Sequence, residues 1–146
     1  MIVYVDSSVL ARAYLTGEQG HKEAASLLDD ADVALVTGTW TRIEVSGALA
    51  RAAVAGRVER AGLLELLDAD LGDDGRVAVV TADHSEVEAR ALTLVREHGL
   101  RAMNAWHLAV AALTLPDLAE AGEGIGFATR DAKHGEVAKA LGLVLV

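Results

Sequence analysis

Residues 2–8 read IVYVDSS, a continuous apolar run that stops at the carboxylate of Asp6 and is followed by two serines. Four consecutive apolar residues are typical of a strand covered on both faces, as strands of parallel sheets are. The two serines predict a helix start, because serine is favoured at helix N-termini. The stretch therefore predicts a strand that passes into a helix, with Asp6 at the junction.

The same alternation continues along the chain. Because parallel neighbours need crossover connections, it predicts an α/β fold, with a central parallel sheet of about five strands and helices on both faces. No repeat or linker divides the chain, so we expect one domain over residues 1–146. We expect strands at 2–5, 33–36, 77–81, 125–128 and 143–146, helices at 7–15, 21–29, 39–55, 58–71, 83–98, 103–113 and 131–141, and a short separate piece from Pro116.

Composition restricts the class of protein. Hydrophobic residues make up 52% of the chain but aromatic ones only 3%, so the core must be built from Ala, Val and Leu. The absence of cysteine excludes disulfides, thiolate metal sites and thiol catalysis. The sequence has neither an apolar run long enough for a membrane span nor a basic-then-apolar leader, so we expect no membrane association and a cytoplasmic protein.

The net charge of −9 argues against a broad nucleic-acid-binding face, although it does not exclude a nuclease. Several arginines lie within about two helical turns of a candidate site residue. They could supply a local positive rim or be solvated surface charges, and the sequence leaves both open. These arginines are Arg12, Arg42, Arg51, Arg101 and Arg130.

Four polar positions are candidates for a site: Asp6, Glu44, Asn104 and Asp131. Ligands of open parallel sheets bind beyond the carboxyl ends of the strands, and Asp6 and Asp131 each follow a predicted strand end. Glu44 and Asn104 lie on otherwise apolar helix faces. Carboxylates brought together repel one another, so such a cluster usually exists to hold a divalent cation.

The acidic positions also have structural interpretations. Asp6 and Asp131 could cap the helices that follow them, since Asp is a good N-cap. Glu44 could pair with Arg51, two turns further along the same helix. Either interpretation would explain these acidic residues without a bound metal ion.

Two residues of the helix at 103–113 need the same comparison. A buried asparagine such as Asn104 more often satisfies backbone groups than binds metal. For His107 we favour a packed, hydrogen-bonded histidine over a metal ligand, because no second His or Cys shares its helix face.

Four segments together resemble the PIN domain family. They are VYVDSS at 3–8, TRIE at 41–44, LRAMNAWHLA at 100–109 and FATRD at 127–131, and the resemblance runs over essentially the whole chain. It is closest to the VapC toxins of bacterial toxin–antitoxin pairs.

The resemblance implies a PIN-like three-layer sandwich and an endoribonuclease that depends on Mg²⁺ or Mn²⁺. It implies metal-binding and catalytic roles for Asp6, Glu44, the residue at 104 and Asp131, with the hydroxyls of Ser7 and Thr129 supporting them. It further implies a cognate VapB-type antitoxin that holds the enzyme inactive, an RNA substrate and a homodimer.

Asn104 departs from the family pattern, which normally has Asp there. Asn removes one negative charge and replaces an oxygen with an NH₂ group that cannot ligate a cation. The change is either natural, in a degenerate member, or a deliberate near-isosteric inactivation. We therefore expect the chain to cleave RNA poorly or not at all, and the substitution Asn104→Asp to restore metal-dependent cleavage.

Two other function classes remain as alternatives. One is a catalytically inactive PIN-like module that only binds an antitoxin, which Asn104 favours. The other is a receiver-like signalling domain, which needs a phosphorylatable Asp at a central strand end and a Lys on a later strand. The third strand ends VTA at 80–82 and no late strand ends in Lys, which argues against it.

Helical residues 44–55 and 60–67 are rich in Ala, Leu and Val. They offer more apolar surface than one sheet can cover, so we expect a second copy or an antitoxin to pack against part of it.

Overall fold

The structure is a computed structural model that describes residues 1–56 and 59–146. Its five strands form one parallel sheet in the order β3-β2-β1-β4-β5, which confirms the predicted sheet and fold class. The strands are β1 (Ile2–Val5), β2 (Ala34–Gly38), β3 (Val77–Val80), β4 (Ile125–Ala128) and β5 (Val144–Leu145).

Helices cover both faces of this sheet, in the three-layer arrangement expected. On the central strand β1, Ile2 and Tyr4 face the core formed with α5, α6 and α7, whereas Val3 and Val5 face the core formed with α1 to α4. This alternation explains why the strand is apolar at every position. The helices are α1 (Ser7–Tyr14), α2 (His21–Leu28), α3 (Trp40–Val54), α4 (Arg60–Asp70), α5 (His84–His98), α6 (Ala102–Leu118) and α7 (Ala132–Ala140).

The sheet topology places the end of β1 beside the end of β4. The two strands pair in parallel, with Val5 opposite Ala128, and the backbone N–H of Asp6 donates to the carbonyl of Ala128 at 3.1 Å. The chain runs outward from β1 through β2 to β3 on one side, and β4 and β5 lie on the other, so the strand order reverses between β1 and β4. Such a switch point is the usual ligand site of an open parallel sheet.

Several predicted boundaries were wrong by small amounts. Strand β2 is Ala34–Gly38 and not 33–36, and β3 ends at Val80, one residue earlier than predicted. Strand β5 is only Val144–Leu145, where 143–146 was predicted. The helix predicted at 58–71 is observed as Arg60–Asp70, and Val58 lies outside the described residues. Strands β1 and β4, which precede Asp6 and Asp131, have the predicted bounds, so these differences do not move the candidate site.

The sequence predicted that α6 would stop before Pro116, but the helix continues through the proline to Leu118. Leu115 is fully buried in the core, and its carbonyl accepts the backbone N–H of Ala119 at 3.0 Å. The last turn therefore forms around the proline, because packing of the neighbouring residue outweighs the loss of one N–H donor.

The N-cap of α1 is Asp6 and not one of the two following serines. Its Oδ1 accepts the backbone N–H groups of Ser8 (2.9 Å) and Val9 (3.1 Å). An extended backbone at Asp6 and two orphan amides to satisfy make the aspartate the better cap.

Other helix ends follow the sequence more closely. Asp83 caps α5 by accepting the backbone N–H of Glu86, and Gly99 ends the same helix at a φ of 63°, as these residue types favour. Thr39 precedes α3, but its backbone is already helical and, in the described part of the chain, its side chain makes no capping hydrogen bond. None of the described helices is long and apolar enough to cross a membrane.

Candidate active site

Asp6 is a buried carboxylate, 4% exposed, at the carboxyl end of the central strand. Besides its two capping bonds, Oδ1 accepts the hydroxyl of Ser8 at 2.6 Å, and Oδ2 lies 3.3 Å from Nδ1 of His134. Burial raises the pKa of Asp6, but the hydrogen bonds of His134, Ser8 and Thr129 outweigh it and hold the pKa below its ordinary value. Asp6 is therefore both a helix cap and an ionised group at the switch point.

Glu44 lies near Asp6, one turn into α3, and is half-buried. Its Oε2 accepts the hydroxyl of Ser7 at 2.6 Å and Nε2 of His107 at 2.5 Å. Burial raises the pKa of Glu44, whereas these two hydrogen bonds lower it further than burial raises it, so the net shift is downward. The pairing with Arg51 that the sequence allowed is thus replaced by two partners from other elements.

His107 is packed and hydrogen-bonded, as expected. The backbone N–H of Gly38 donates to the hydroxyl oxygen of Tyr4, and that hydroxyl lies 2.9 Å from Nδ1 of His107. Because the ionised Glu44 carboxylate can only accept, Nε2 of His107 carries the proton between them, and in the neutral tautomer Nδ1 accepts the tyrosine hydroxyl. This relay fixes the orientation of the imidazole and, through it, of the Glu44 carboxylate.

Asn104 and Asp131 contact each other directly. The amide Nδ2 of Asn104 donates to Oδ2 of Asp131 at 3.1 Å, and Oδ1 of Asp131 accepts the backbone N–H of His134 at 3.0 Å as the cap of α7. The backbone bond from His134, together with the Asn104 amide, lowers the pKa of Asp131. Asp131 therefore has the capping role that the sequence allowed and also meets the residue that departs from the family pattern.

Thr129 joins the two halves of the site. Its Oγ1 accepts the backbone N–H of Asp131 at 3.2 Å and lies 3.3 Å from Nδ1 of His134. The next residue, Arg130, donates its backbone N–H to the hydroxyl of Ser8 at 3.1 Å. The loop after β4 is thus tied to the start of α1.

His134 is a site residue that the sequence reasoning missed. It is fully buried, its ring packs edge-on against Phe127 with centroids 4.7 Å apart, and its Nδ1 faces both Asp6 and Thr129. Its Nε2 is buried and has no hydrogen-bond partner among the described residues. The available signal was its position three residues after Asp131, which places it on the inner side of the first turn of α7.

The donor chemistry of the site fits a hard divalent cation, since Asp6, Glu44 and Asp131 offer only oxygens and Asn104 has one amide oxygen. Asp6 and Glu44 are near enough for the charge of Asp6 to raise the pKa of Glu44. However, no three acidic or histidine side chains within residues 1–56 and 59–146 are arranged so that they could hold a metal ion together. Convergence of all four residues on one ion stays a prediction.

Four of the five arginines near the site line surface clefts. Arg12 and Arg130 flank a cleft of about 370 Å³ next to the loop after β4, and Arg51 lines one of about 390 Å³ that also includes Glu44. Arg42 lines a further cleft together with Leu71, to whose carbonyl it donates at the end of α4. A local positive rim therefore stays a prediction for Arg12, Arg51 and Arg130.

Comparison with known proteins agrees with this geometry. No curated protein matches the chain. The model of the PIN domain family matches residues 3–140, a span that includes all four predicted site residues. Proteins of this family are commonly nucleases that use divalent metal ions. Since the match covers nearly the entire chain, and the switch point and the acidic residues lie within it, the protein belongs to the PIN domain family.

Proposed function

We propose that this chain is the toxin of a type II toxin–antitoxin pair, a PIN endoribonuclease that depends on Mg²⁺ or Mn²⁺ and is impaired by Asn104. The observation that carries the proposal is the buried, ionised carboxylate of Asp6 at the switch point of the sheet, with Glu44 beside it. A perturbed acid at such a place is a mark of function more often than of stability alone.

The residues that would hold a divalent cation are Asp6, Glu44 and Asp131, with the amide oxygen of Asn104 as a weaker fourth donor. When bound, the ion would neutralise charge on the scissile phosphate and make water a better nucleophile. The contribution of the chain is to hold these donors still. Ser7 and His107 hold Glu44, while Thr129 and His134 hold Asp6, so no side-chain nucleophile is needed.

The contact between Asn104 and Asp131 supports the impaired activity. The Asn104 amide turns an NH₂ group towards an oxygen of Asp131 that a cation would need. Losing one charged ligand commonly costs on the order of 1–3 kcal/mol of affinity. The catalytic loss should be larger, because water must be held in line as well as activated.

The test is a paired assay of this chain and its Asn104→Asp variant on total RNA, with Mg²⁺, with Mn²⁺ and with chelator. We expect cleavage only from the Asp form and only with metal, while an Asn104→Ala control, equally uncharged, stays inactive. In chelator the Asp form should melt no higher than the chain as written, because a carboxylate at position 104 would repel Asp131. Equal cleavage by the Asn and Asp forms would show that residue 104 is not an essential ligand.

A second candidate is a catalytically inactive PIN module that only binds an antitoxin. The specific observation in its favour is the same Asn104–Asp131 hydrogen bond, which satisfies the site without a cation. Absence of cleavage by the Asn104→Asp variant, with retained binding of a small partner encoded beside the gene, would favour it. The family match leaves the receiver-like alternative without support.

The proposal includes a second copy of the chain and a VapB-type antitoxin as partners, with RNA cleavage in the cytoplasm. Its support is exposed apolar surface on α3 and α4, where Val54 is 89% exposed and Ile43 and Leu66 are also exposed. Sedimentation at micromolar concentration should show a dimer, and a monomer at all concentrations would remove self-association from the proposal.

A further inference from the structure

The aromatic residues of this chain are divided sharply between core and surface. The sequence has two Tyr, one Phe and two Trp. The tyrosines and the phenylalanine are buried, whereas Trp40 is 43% exposed and Trp106 is partly exposed. Exposure of large apolar rings is unfavourable, so two of them on one surface call for an explanation.

These two tryptophans lie together. Their ring centroids are 6.2 Å apart with the planes at 68°, and His84 lies against Trp106 at 5.3 Å. Trp40 begins α3 just beyond the carboxyl end of β2, and His84 begins α5 after β3. A small cavity of about 100 Å³ opens between these residues. We call Trp40, Trp106 and His84 the aromatic platform.

The platform adjoins the acidic residues of the candidate active site. Trp40 lies one helical turn before Glu44 on α3, so the two side chains share a helix face. Trp106 packs against Trp40, and the next residue of α6, His107, contacts Glu44 through Nε2. The platform therefore lies beside Glu44, one of the four candidate site residues.

We propose that the aromatic platform stacks a nucleobase of single-stranded RNA next to the scissile phosphate. This inference rests on the proposed ribonuclease function and names how that site holds its substrate. Aromatic faces bind bases of any sequence, because every base has a π-face. A chain with a net charge of −9 cannot rely on many phosphate contacts, so stacking would supply much of the affinity, and binding should depend only weakly on salt.

Both tryptophans of the chain belong to the platform, so fluorescence excited selectively in tryptophan reports from this place alone. The experiment titrates the full chain, in chelator, with a short single-stranded oligoadenylate and with an abasic oligomer of equal length. We expect quenching by the oligoadenylate and little by the abasic oligomer.

Trp40→Leu, measured by polarisation of a labelled oligoadenylate, should weaken binding about tenfold, and Trp40→Phe should restore most of it. Leu92→Ala, at an exposed apolar position on α5, is the control and should bind as the parent does.

Two results would overturn the platform: equal binding of the abasic oligomer, or parental binding by Trp40→Leu. Loss of self-association by Trp40→Leu without loss of RNA binding would show a protein interface instead. In the Asn104→Asp background, Trp40→Leu should raise KM more than it lowers kcat. If the Asp form cuts RNA and Trp40→Leu changes nothing, the platform alone fails. If no form cuts RNA and Trp40→Leu still loses oligoadenylate binding, the ribonuclease proposal fails and the platform stands.

Discussion

Asp6 uses its two carboxylate oxygens for different purposes. Oδ1 caps α1 through Ser8 and Val9, and Oδ2 faces His134. Asp131 is divided in the same way, with Oδ1 capping α7 and Oδ2 meeting Asn104. Capping and membership of a site were alternatives in the sequence. In the structure the two interpretations are compatible, because each cap uses Oδ1 and leaves Oδ2 turned towards the candidate site.

At the residue scale, the first prediction concerns His134, whose Nδ1 supports Asp6 while its Nε2 has no partner in the described part of the chain. The substitution His134→Phe keeps a ring against Phe127 but removes both nitrogens. Near neutral pH we expect unfolding free energy to change by less than about 1 kcal/mol, because losing the contact with Asp6 is offset by removing an unsatisfied buried nitrogen.

The loss of folding stability at acidic pH should distinguish His134→Phe from the parent more clearly. The pKa of Asp6 is lowered in the folded protein, so its stabilising contribution is present above the unfolded pKa of about 3.9 and is lost as pH falls through the folded value. Without His134 that folded pKa rises, and His134→Phe should begin to lose stability at a higher pH than the parent. Denaturant unfolding in chelator across pH measures this. The control is His134→Asn, which keeps a donor near the Nδ1 position. If all three proteins lose stability over the same acidic pH range, His134 does not have the assigned role.

At the scale of elements, α6 combines core and site within one helix. Its inner face buries Ala105, Leu108 and Leu115, while Asn104 directly precedes Ala105 and His107 directly precedes Leu108. The apolar positions fix the rotation of the helix about its own axis. The two site residues are therefore placed by the core packing and not by loop geometry, which favours a precise site.

The prediction at this scale concerns the relay from β2 through β1 to α6. Tyr4→Phe keeps the stacking on Phe127 but removes the hydroxyl, which leaves the Gly38 N–H and Nδ1 of His107 unsatisfied. We expect about 1–3 kcal/mol lower unfolding free energy. We also expect weaker cleavage in the Asn104→Asp background, because His107 then loses the partner that fixes its proton on Nε2.

Tyr14→Phe is the matched control for the relay. Tyr14 is also buried, and its hydroxyl donates to Asp70 at 2.6 Å, on α4 and away from His107. This variant should lose stability as well while cleavage stays at the level of its background. If both tyrosine variants reduce cleavage equally at a temperature where both are folded, the relay has no specific role.

At the scale of the whole molecule, the fold was predictable because the inner strands are short, mostly apolar runs and most of the described helices have a cap or a glycine at one end. Asp83 and Gly99 bound α5 as their residue types predict. Contacts between distant segments were not predictable in the same way. The partners of Glu44 and Asp6, His107 and His134, depend on how helices rotate against the sheet, which only the summed core packing decides.

A second charge cluster, around the buried carboxylate of Asp70, links segments of the chain away from the site. Arg76, in the segment before β3, donates from Nε and Nη2 to the two oxygens of Asp70, each at 2.7 Å, and Tyr14 of α1 donates to the same carboxylate. Arg76 also bonds Asp29 after α2 at 2.6 Å. Three segments of the α1–α4 side thus meet at the Asp70 carboxylate, and Arg76 links them to a fourth, the end of α2.

The last prediction follows from this cluster. Burial raises the pKa of Asp70, but the hydrogen bonds from Arg76 and Tyr14 lower it by more, so the folded pKa lies below the ordinary value. The stabilisation is therefore present above the unfolded pKa of about 3.9 and is lost as pH falls through the folded pKa. Asp70→Asn should lower unfolding free energy at neutral pH by about 2–3 kcal/mol and lose less stability on acidification than the parent.

Asp68→Asn, on the same helix but exposed and 3.7 Å from Arg42, should change stability by no more than about 0.5 kcal/mol. Urea unfolding of the three proteins across pH, in chelator, is the measurement. If Asp70→Asn matches Asp68→Asn at neutral pH, the cluster contributes no net stability and the desolvation of Asp70 cancels its hydrogen bonds.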